Sequence, residues 1–207
     1  MRRRPGLPIA CGAAHALKLQ GMPHVVACFF GDGATNIGAF HEALNFAAIW
    51  KLPVVYVIEN NRYAMGTAVS RASAQTDFSK RGISFNIPGE QVDGMDVRAV
   101  RDAAERAIQW CRNGKGPYIL EMQTYRYRGH SMSDPAKYRS KEEVQKMREE
   151  HDPIEQVRAR LQREWKVSED ALKAVDAQVR DIVNEAAEFA TNDPEPDPSE
   201  LWTDILK

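Results

Sequence analysis

Apolar residues fall into two kinds of run along this chain, and the two kinds alternate. Val25 to Phe30 and Val54 to Ile58 are short and continuously apolar, as strands covered on both faces are. Between them, Asn36 to Lys51 carries Ile37, Phe40, Leu44, Ala47 and Ala48 at helical spacing, and Leu52-Pro53 stops the helix. Strand, turn, helix, strand makes one right-handed βαβ unit. Upstream, Ile9 to Gln20 is rich in small residues and predicts a helix that packs closely on a neighbour. Downstream, Asn60 to Glu90 is polar and punctuated by Gly66, Gly82, Pro88 and Gly89. It reads as a long loop, and loops of that length are usually functional. Gln91 to Gly94 looks like a short strand end. Asp96 to Asn113 predicts a helix with Val97, Val100, Ala104 and Ile108 on one face, and Tyr118 to Gln123 a further strand. The alternation predicts an α/β fold, a parallel sheet with flanking helices.

The pattern changes after this strand. Thr124 to Arg139 is a loop rich in tyrosine and arginine. From Ser140 the chain is charged and helical. Asp152-Pro153 opens one helix that runs to about Trp165, and Ser168-Glu169-Asp170 is a good start for the next. Leu172, Val175, Val179, Ile182, Val183 and Ala186 form its apolar stripe, suited to packing against the domain or a partner. Asp193 to Pro198 is a stiff spacer before a short end, Leu201 to Leu206. The expected division is an α/β domain over 7–139 and a helical C-terminal extension over 140–207.

Composition narrows the function classes. The chain has 28 basic and 29 acidic residues and a net charge of −1, so no bulk field for nucleic acid exists. No run approaches the length of a membrane span. The basic start, Met1 to Gly6, lacks the apolar core of a secretory signal. Cys11, Cys28 and Cys111 have no metal-ligand spacing and read as buried, reduced thiols of a cytoplasmic protein.

The candidate chemistry sits where the two apolar runs stop. The first ends in Gly31-Asp32-Gly33 and the second in Asn60-Asn61, in the pattern GDG-x26-NN. Ligands of parallel sheets bind outside the carboxyl ends of the strands. Asp32 and Asn61 at two such ends can hold one hard cation, with a main-chain carbonyl completing a set that leaves room for phosphate oxygens. The glycines permit a tight turn and close backbone approach. The helix expected from about Asn36 points its N-terminus toward the same place, which favours an anion.

Gly31-Asp32-Gly33-Ala34-Thr35-Asn36 through Glu59-Asn60-Asn61 resembles the thiamine diphosphate motif of thiamine-dependent enzymes. Asn60 to Thr67, Val92-Asp93-Gly94-Met95-Asp96 and Gln123 to Pro135 resemble the alpha subunits of the pyruvate dehydrogenase component, in the 2-oxo acid dehydrogenase family. The resemblance runs from about Leu7 to the C-terminus. It implies a thiamine diphosphate-binding fold, here incomplete. It also implies that Asp32, the Asn61 side chain and the main-chain oxygen of Tyr63 bind Mg²⁺, and that Gly33 and Ala34 approach the diphosphate through their backbone. His130 matches the family's loop histidine, which reaches the cofactor and the active-site entrance, a catalytic role. The loop around it, Tyr125 to Arg139, should order when cofactor binds. Arg126 and Arg128 read equally well as phosphate ligands or as solvated loop charges. The implied reaction is oxidative decarboxylation of pyruvate, with acetyl transfer to the lipoyl domain of dihydrolipoamide acetyltransferase. The implied partner is a beta subunit, in a heterotetramer. That subunit carries the glutamate that activates the cofactor, so neither Glu42 nor Glu59 is that base.

Several positions depart from the family pattern. Ile37 stands where glutamine is usual, which alters one polar contact and leaves the metal set intact. Ser131 matches a serine phosphorylated in mitochondrial members, where phosphate would put negative charge near the diphosphate. Ala68 and Ala136-Lys137 stand where those members carry other regulated serines, which points to a bacterial, unregulated enzyme. Family members have a long segment before the part matching Pro8 to Gly21, and Met1 to Gly6 matches none of it. The chain therefore reads as the C-terminal part of such a subunit, whether from a split gene, a wrong start site or a decayed gene. Alternatives are an acetoin or branched-chain 2-oxo acid dehydrogenase alpha subunit, or a non-catalytic remnant that binds a beta subunit.

Overall fold

The computed structural model describes residues 6–204. The basic start at 1–5 and the final Ile205-Leu206 of the apolar end lie outside the described residues. One compact unit extends to Pro153 and a second begins at Ile154.

Four strands form the sheet of the first unit: β1 (Val26–Gly31), β2 (Val54–Asn60), β5 (Gly89–Asp93) and β6 (Tyr118–Gln123). They are parallel throughout and lie in the order β1-β2-β6-β5. Gly31 pairs with Glu59, and Asn60 and Asp93 both lie beside Gln123. The carboxyl ends therefore line up along one rim. A two-stranded hairpin, β3 (Tyr63–Ala64) and β4 (Thr67–Ala68), follows β2 at that rim.

Helices cover the two faces. On one, α1 (Gly6–Leu19) and α2 (Gly38–Ile49) bury Leu7, Phe40 and Leu44 against Phe30, Tyr56 and Ile58. Each such side chain contributes roughly 1.5–3 kcal/mol of burial free energy. The buried Tyr56 hydroxyl meets the Ala43 carbonyl and the Cys11 thiol, both at 3.2 Å. On the other face, α4 (Val97–Arg112) lays Ala103, Ala107 and Cys111 on Val55, Val57 and Leu120. Of the expected face, Val100 and Ile108 pack at the margin of this cluster, so the contact face is shifted from the expected one and not replaced. Val97, the first residue of the helix, is 54% exposed. The helix is capped by Asp96, whose carboxylate accepts from the amides of Arg98 and Ala99.

Two more expectations are corrected. β1 is not covered on both faces: it is an edge strand and Phe29 is 65% exposed. The polar segment 60–90 is not structureless. It holds the hairpin, a short helix α3 (Val69–Ala72) and a 3-10 turn, Phe78–Phe85. That turn packs on β5 so tightly that a Cβ on Gly89 would lie 2.2 Å from the Ser79 carbonyl oxygen. Backbone cannot yield as a side chain does. Gly89→Ala should therefore lower unfolding stability by about 1–3 kcal/mol, read as a fall in urea midpoint with unchanged slope.

The three cysteines are free and buried, as expected. Burial pushes the Cys111 thiol up to about 12 and the Cys28 thiol to about 11, far from a reactive thiolate.

Helix α5 (Lys141–His151), capped by Ser140, stays with the first unit. Tyr125 donates to Glu143 at 2.7 Å, and the Arg148 guanidinium lies over the Tyr127 ring. The first compact unit so runs on through α5 to Pro153. The second unit is built from α6 (Pro153–Trp165) and α7 (Glu169–Asn192), starting where Asp152-Pro153 and Ser168 predict. Arg158 joins them, meeting Asp176 at 2.8 Å and Glu169 at 3.5 Å. On α7, Val175, Val179, Ile182 and Val183 are exposed. Among the described residues no helix is long and apolar enough to cross a membrane.

Candidate functional site

β1 delivers Gly31 to the rim, and the chain turns at once. Asp32–Asn36 is a 3-10 turn, not the start of a helix. The Thr35 hydroxyl donates to the Asp32 carbonyl at 2.7 Å and holds the turn tight. Helix α2 begins only at Gly38, and Ile37 before it supplies no side-chain cap. Asn36 is occupied elsewhere: it donates to the Ala72 carbonyl and the Ser73 hydroxyl and accepts from Arg81, each at 3.2 Å. Asp32 is 4% exposed and Ala34 is also buried.

The neighbouring strand β2 ends at Asn60. The Asn61 side-chain oxygen accepts from the Tyr63 amide at 3.3 Å, an Asx turn that reverses the chain. Arg62 and Met65 take positive φ of 70° and 55° to complete the hairpin. A Cβ on Gly33 would stand 2.7 Å from the Ala64 Cβ. The turn after β1 and the hairpin after β2 are therefore in contact. Asp32, Gly33, Ala34, Asn61 and Tyr63 come together on two adjacent strand ends. Among the described residues no three His, Cys, Asp or Glu side chains form a metal-holding group. The expected set has one carboxylate, one amide oxygen and one main-chain oxygen and does not require such a group.

His130 arrives from the loop after β6. Arg126 ties that loop to the hairpin, donating to the Met65 carbonyl and the Tyr138 hydroxyl at 2.9 Å each. Tyr138 stacks near Tyr63, with ring centroids 5.0 Å apart. Arg126 also lies 3.4 Å from His130 Nδ1, and its side chain is thereby engaged within the loop and the hairpin. The carboxylate of Asp134 accepts from the His130 amide at 2.7 Å, the Ala136 amide at 2.9 Å and the Tyr138 hydroxyl at 2.9 Å. His130 and Ser131 are both exposed, and the Ser131 hydroxyl meets that of Ser133.

The backbone bonds from His130 and Ala136 hold the Asp134 carboxyl below its ordinary value of 3.8. A depressed carboxylate gives its stabilisation above the unfolded value and loses it as pH falls through the folded one. The hold of Asp134 on the His130 amide should thus persist at neutral pH and fade below about pH 4. Amide exchange at His130, followed from pH 6 to pH 3 against α4 amides, checks this.

Two residues that shape this site, Ala64 and Glu121, are missed by sequence reasoning, and for Arg126 the sequence offers two roles, neither of which is the anchoring contact it makes. Ala64 seats the glycine turn, Arg126 anchors the histidine loop, and Glu121 is buried behind Asn60. Of the two missed residues, Glu121 carries a signal, as a charged residue inside the apolar run of β6.

Residues 5–199 match the family model described as dehydrogenase E1 component. The chain belongs to the dehydrogenase E1 component family. Its relatives include a pyruvate dehydrogenase E1 component subunit alpha of Rhizobium meliloti, 67% identical over 198 residues. That match covers 96% of this chain and 57% of the relative. A protein of the same name from Zymomonas mobilis is 52% identical, covering 97% of this chain and 56% of the relative. The somatic mitochondrial form from Sus scrofa is 50% identical, covering 94% and 50%. The chain thus spans about half the length of the curated relatives it matches. Within the E1 family the fold agrees with expectation: a parallel four-stranded sheet flanked by helices, followed by C-terminal helices.

Proposed function

We propose that this chain is the diphosphate-holding part of a pyruvate dehydrogenase alpha subunit, which uses thiamine diphosphate and Mg²⁺. The observation that carries the reading is the seating of Gly33 on Ala64. It presses the turn that bears buried Asp32 against the hairpin that follows Asn61. The Asp32 carboxylate, the Asn61 amide oxygen and the Tyr63 carbonyl would hold Mg²⁺, a hard cation that takes oxygen ligands and keeps sites for phosphate. The backbone at Gly33 and Ala34 would face the diphosphate, since no side chain at 33 stands in the way. His130, on a loop braced by Arg126 and Asp134, would donate a hydrogen bond at the diphosphate end and guard the entrance. Thiamine diphosphate, when bound, supplies the electron sink for decarboxylating pyruvate before acetyl passes to the lipoyl domain of dihydrolipoamide acetyltransferase.

The partner in this reading is a beta subunit, in a heterotetramer that supplies the rest of the pocket. Such an enzyme works in the cytoplasm of a bacterium, after glycolysis, and feeds acetyl-CoA. The identity to pyruvate dehydrogenase alpha subunits from two bacteria supports pyruvate over acetoin or branched-chain 2-oxo acids.

The test is calorimetry of the chain with thiamine diphosphate and Mg²⁺, alone and with its beta subunit. Binding that requires Mg²⁺ is expected. No binding in either case would sink the proposal. Co-purification with the beta subunit but no turnover on reconstitution would leave a beta-binding module in its place.

A further inference from the structure

Glu121 is a charged residue with no exposed surface, in the middle of an apolar strand. Burial of a carboxylate is costly unless its oxygens are fully engaged. Here three chain segments converge on it. One oxygen accepts from the Asn60 side-chain amide at 2.7 Å. The other accepts from the Ser79 backbone amide at 2.9 Å and from the Gln91 side-chain amide at 3.1 Å. The bond to Asn60 matters most for the site. Asn60 is itself buried, and its own oxygen accepts from the Arg62 amide at 3.1 Å. Arg62 sits at positive φ between Asn61 and Tyr63. The orientation of the Asn60 amide is fixed from both sides, because a carboxylate needs the NH₂ and a backbone N–H needs the oxygen.

We infer that Glu121 is the positioning residue of the Asn61–Tyr63 turn, acting through Asn60. It also pins the 78–85 turn through Ser79, and that segment holds Asn36 through Arg81. One buried carboxylate so braces the segments on either side of the candidate metal site without touching a ligand. The value of this arrangement for Mg²⁺ rests on the proposed function above, but the bracing itself does not.

Glu121→Gln keeps the shape and reverses one donor. The Ser79 amide cannot flip, so the glutamine oxygen must face it and the glutamine NH₂ must face Asn60. Asn60 then turns over, and its NH₂ opposes the Arg62 amide. Adding Asn60→Asp restores the match: the glutamine donates to one aspartate oxygen and Arg62 to the other. Amide exchange in the metal-free chain is the first readout. Exchange at Arg62 should rise about tenfold in E121Q, return in E121Q/N60D, and stay constant at α4 amides. The second readout is Mg²⁺ affinity in the presence of thiamine diphosphate. It should fall about 10–100-fold in E121Q, the range for residues behind metal ligands, and recover in the double variant. Unchanged Arg62 exchange in E121Q, or no recovery in the double variant, overturns the inference. If E121Q alone does not fold, restored folding in E121Q/N60D supports it, and a double variant no better than E121Q overturns it. If the wild-type chain binds no Mg²⁺ but the exchange pattern holds, the metal reading has failed and the role of Glu121 stands.

Discussion

Asp32→Ala should abolish Mg²⁺-dependent binding of thiamine diphosphate while leaving the fold in place. Asp32 is the one carboxylate in the proposed ligand set, and it is almost fully buried. A cation held by one carboxylate, one amide and one carbonyl loses its only negative protein ligand in the variant. The expected loss is at least about 100-fold, since carboxylates are the principal protein ligands of Mg²⁺. The Thr35 hydroxyl bond to the Asp32 main-chain oxygen remains available to the turn in the variant. Asp32→Asn separates charge from shape: it keeps an oxygen ligand and should fall between wild type and alanine. Calorimetric titration of the three proteins, with thermal unfolding in parallel, measures both sides. Wild-type affinity in Asp32→Ala would move the metal elsewhere.

The second large effect is steric. Gly33→Ala puts a methyl 2.7 Å from the Ala64 Cβ, where carbon atoms at rest stand about 3.5–4.0 Å apart. Either the turn after β1 or the hairpin after β2 must shift by about 1 Å. A displacement of that size in a positioned site costs on the order of 100-fold. The reciprocal change should undo it. Ala64→Gly removes the opposing methyl, so G33A/A64G should regain most of the affinity lost in G33A. Absence of recovery would mean that the glycine serves the backbone approach to the ligand and not the contact with the hairpin.

The reach of the sequence follows from the scale of each signal. Runs of one period reported their elements well. The β2 and β6 strands, and α6 and α7 with their Pro153 and Ser168 starts, lie within a residue or two of expectation. Signals that depend on three-dimensional context did not. Val97, Val100, Ala104 and Ile108 have the right spacing for a buried face, but the fully buried residues are Ala103, Ala107 and Cys111, with Val100 and Ile108 at the margin of the contact. Phe29 sits in a continuous apolar run, yet an edge strand leaves it open. The helix expected from about Asn36 starts at Gly38, because the Thr35 hydroxyl bonded to the Asp32 carbonyl keeps Asp32–Asn36 in a 3-10 turn, which hydrophobic spacing does not register. The paired strand ends at Asp32 and Asn61 were legible as a site from sequence. What seats them, Gly33 against Ala64 and Glu121 behind Asn60, joins residues far apart in the chain, and no local pattern carries that.

The strand order has a consequence for how the molecule is made. Among the described residues β6 is the last of the four sheet strands in chain order, yet it occupies a central place, between β2 and β5. Of these four strands, β1, β2 and β5 emerge before β6, and β5 joins β2 in the sheet only through β6. Long-range parallel pairing of this kind is slow and leaves apolar edges open while it waits. The segment that closes the gap also carries Glu121. Insertion of β6 between β2 and β5 and bracing of the rim by Glu121 are therefore coupled.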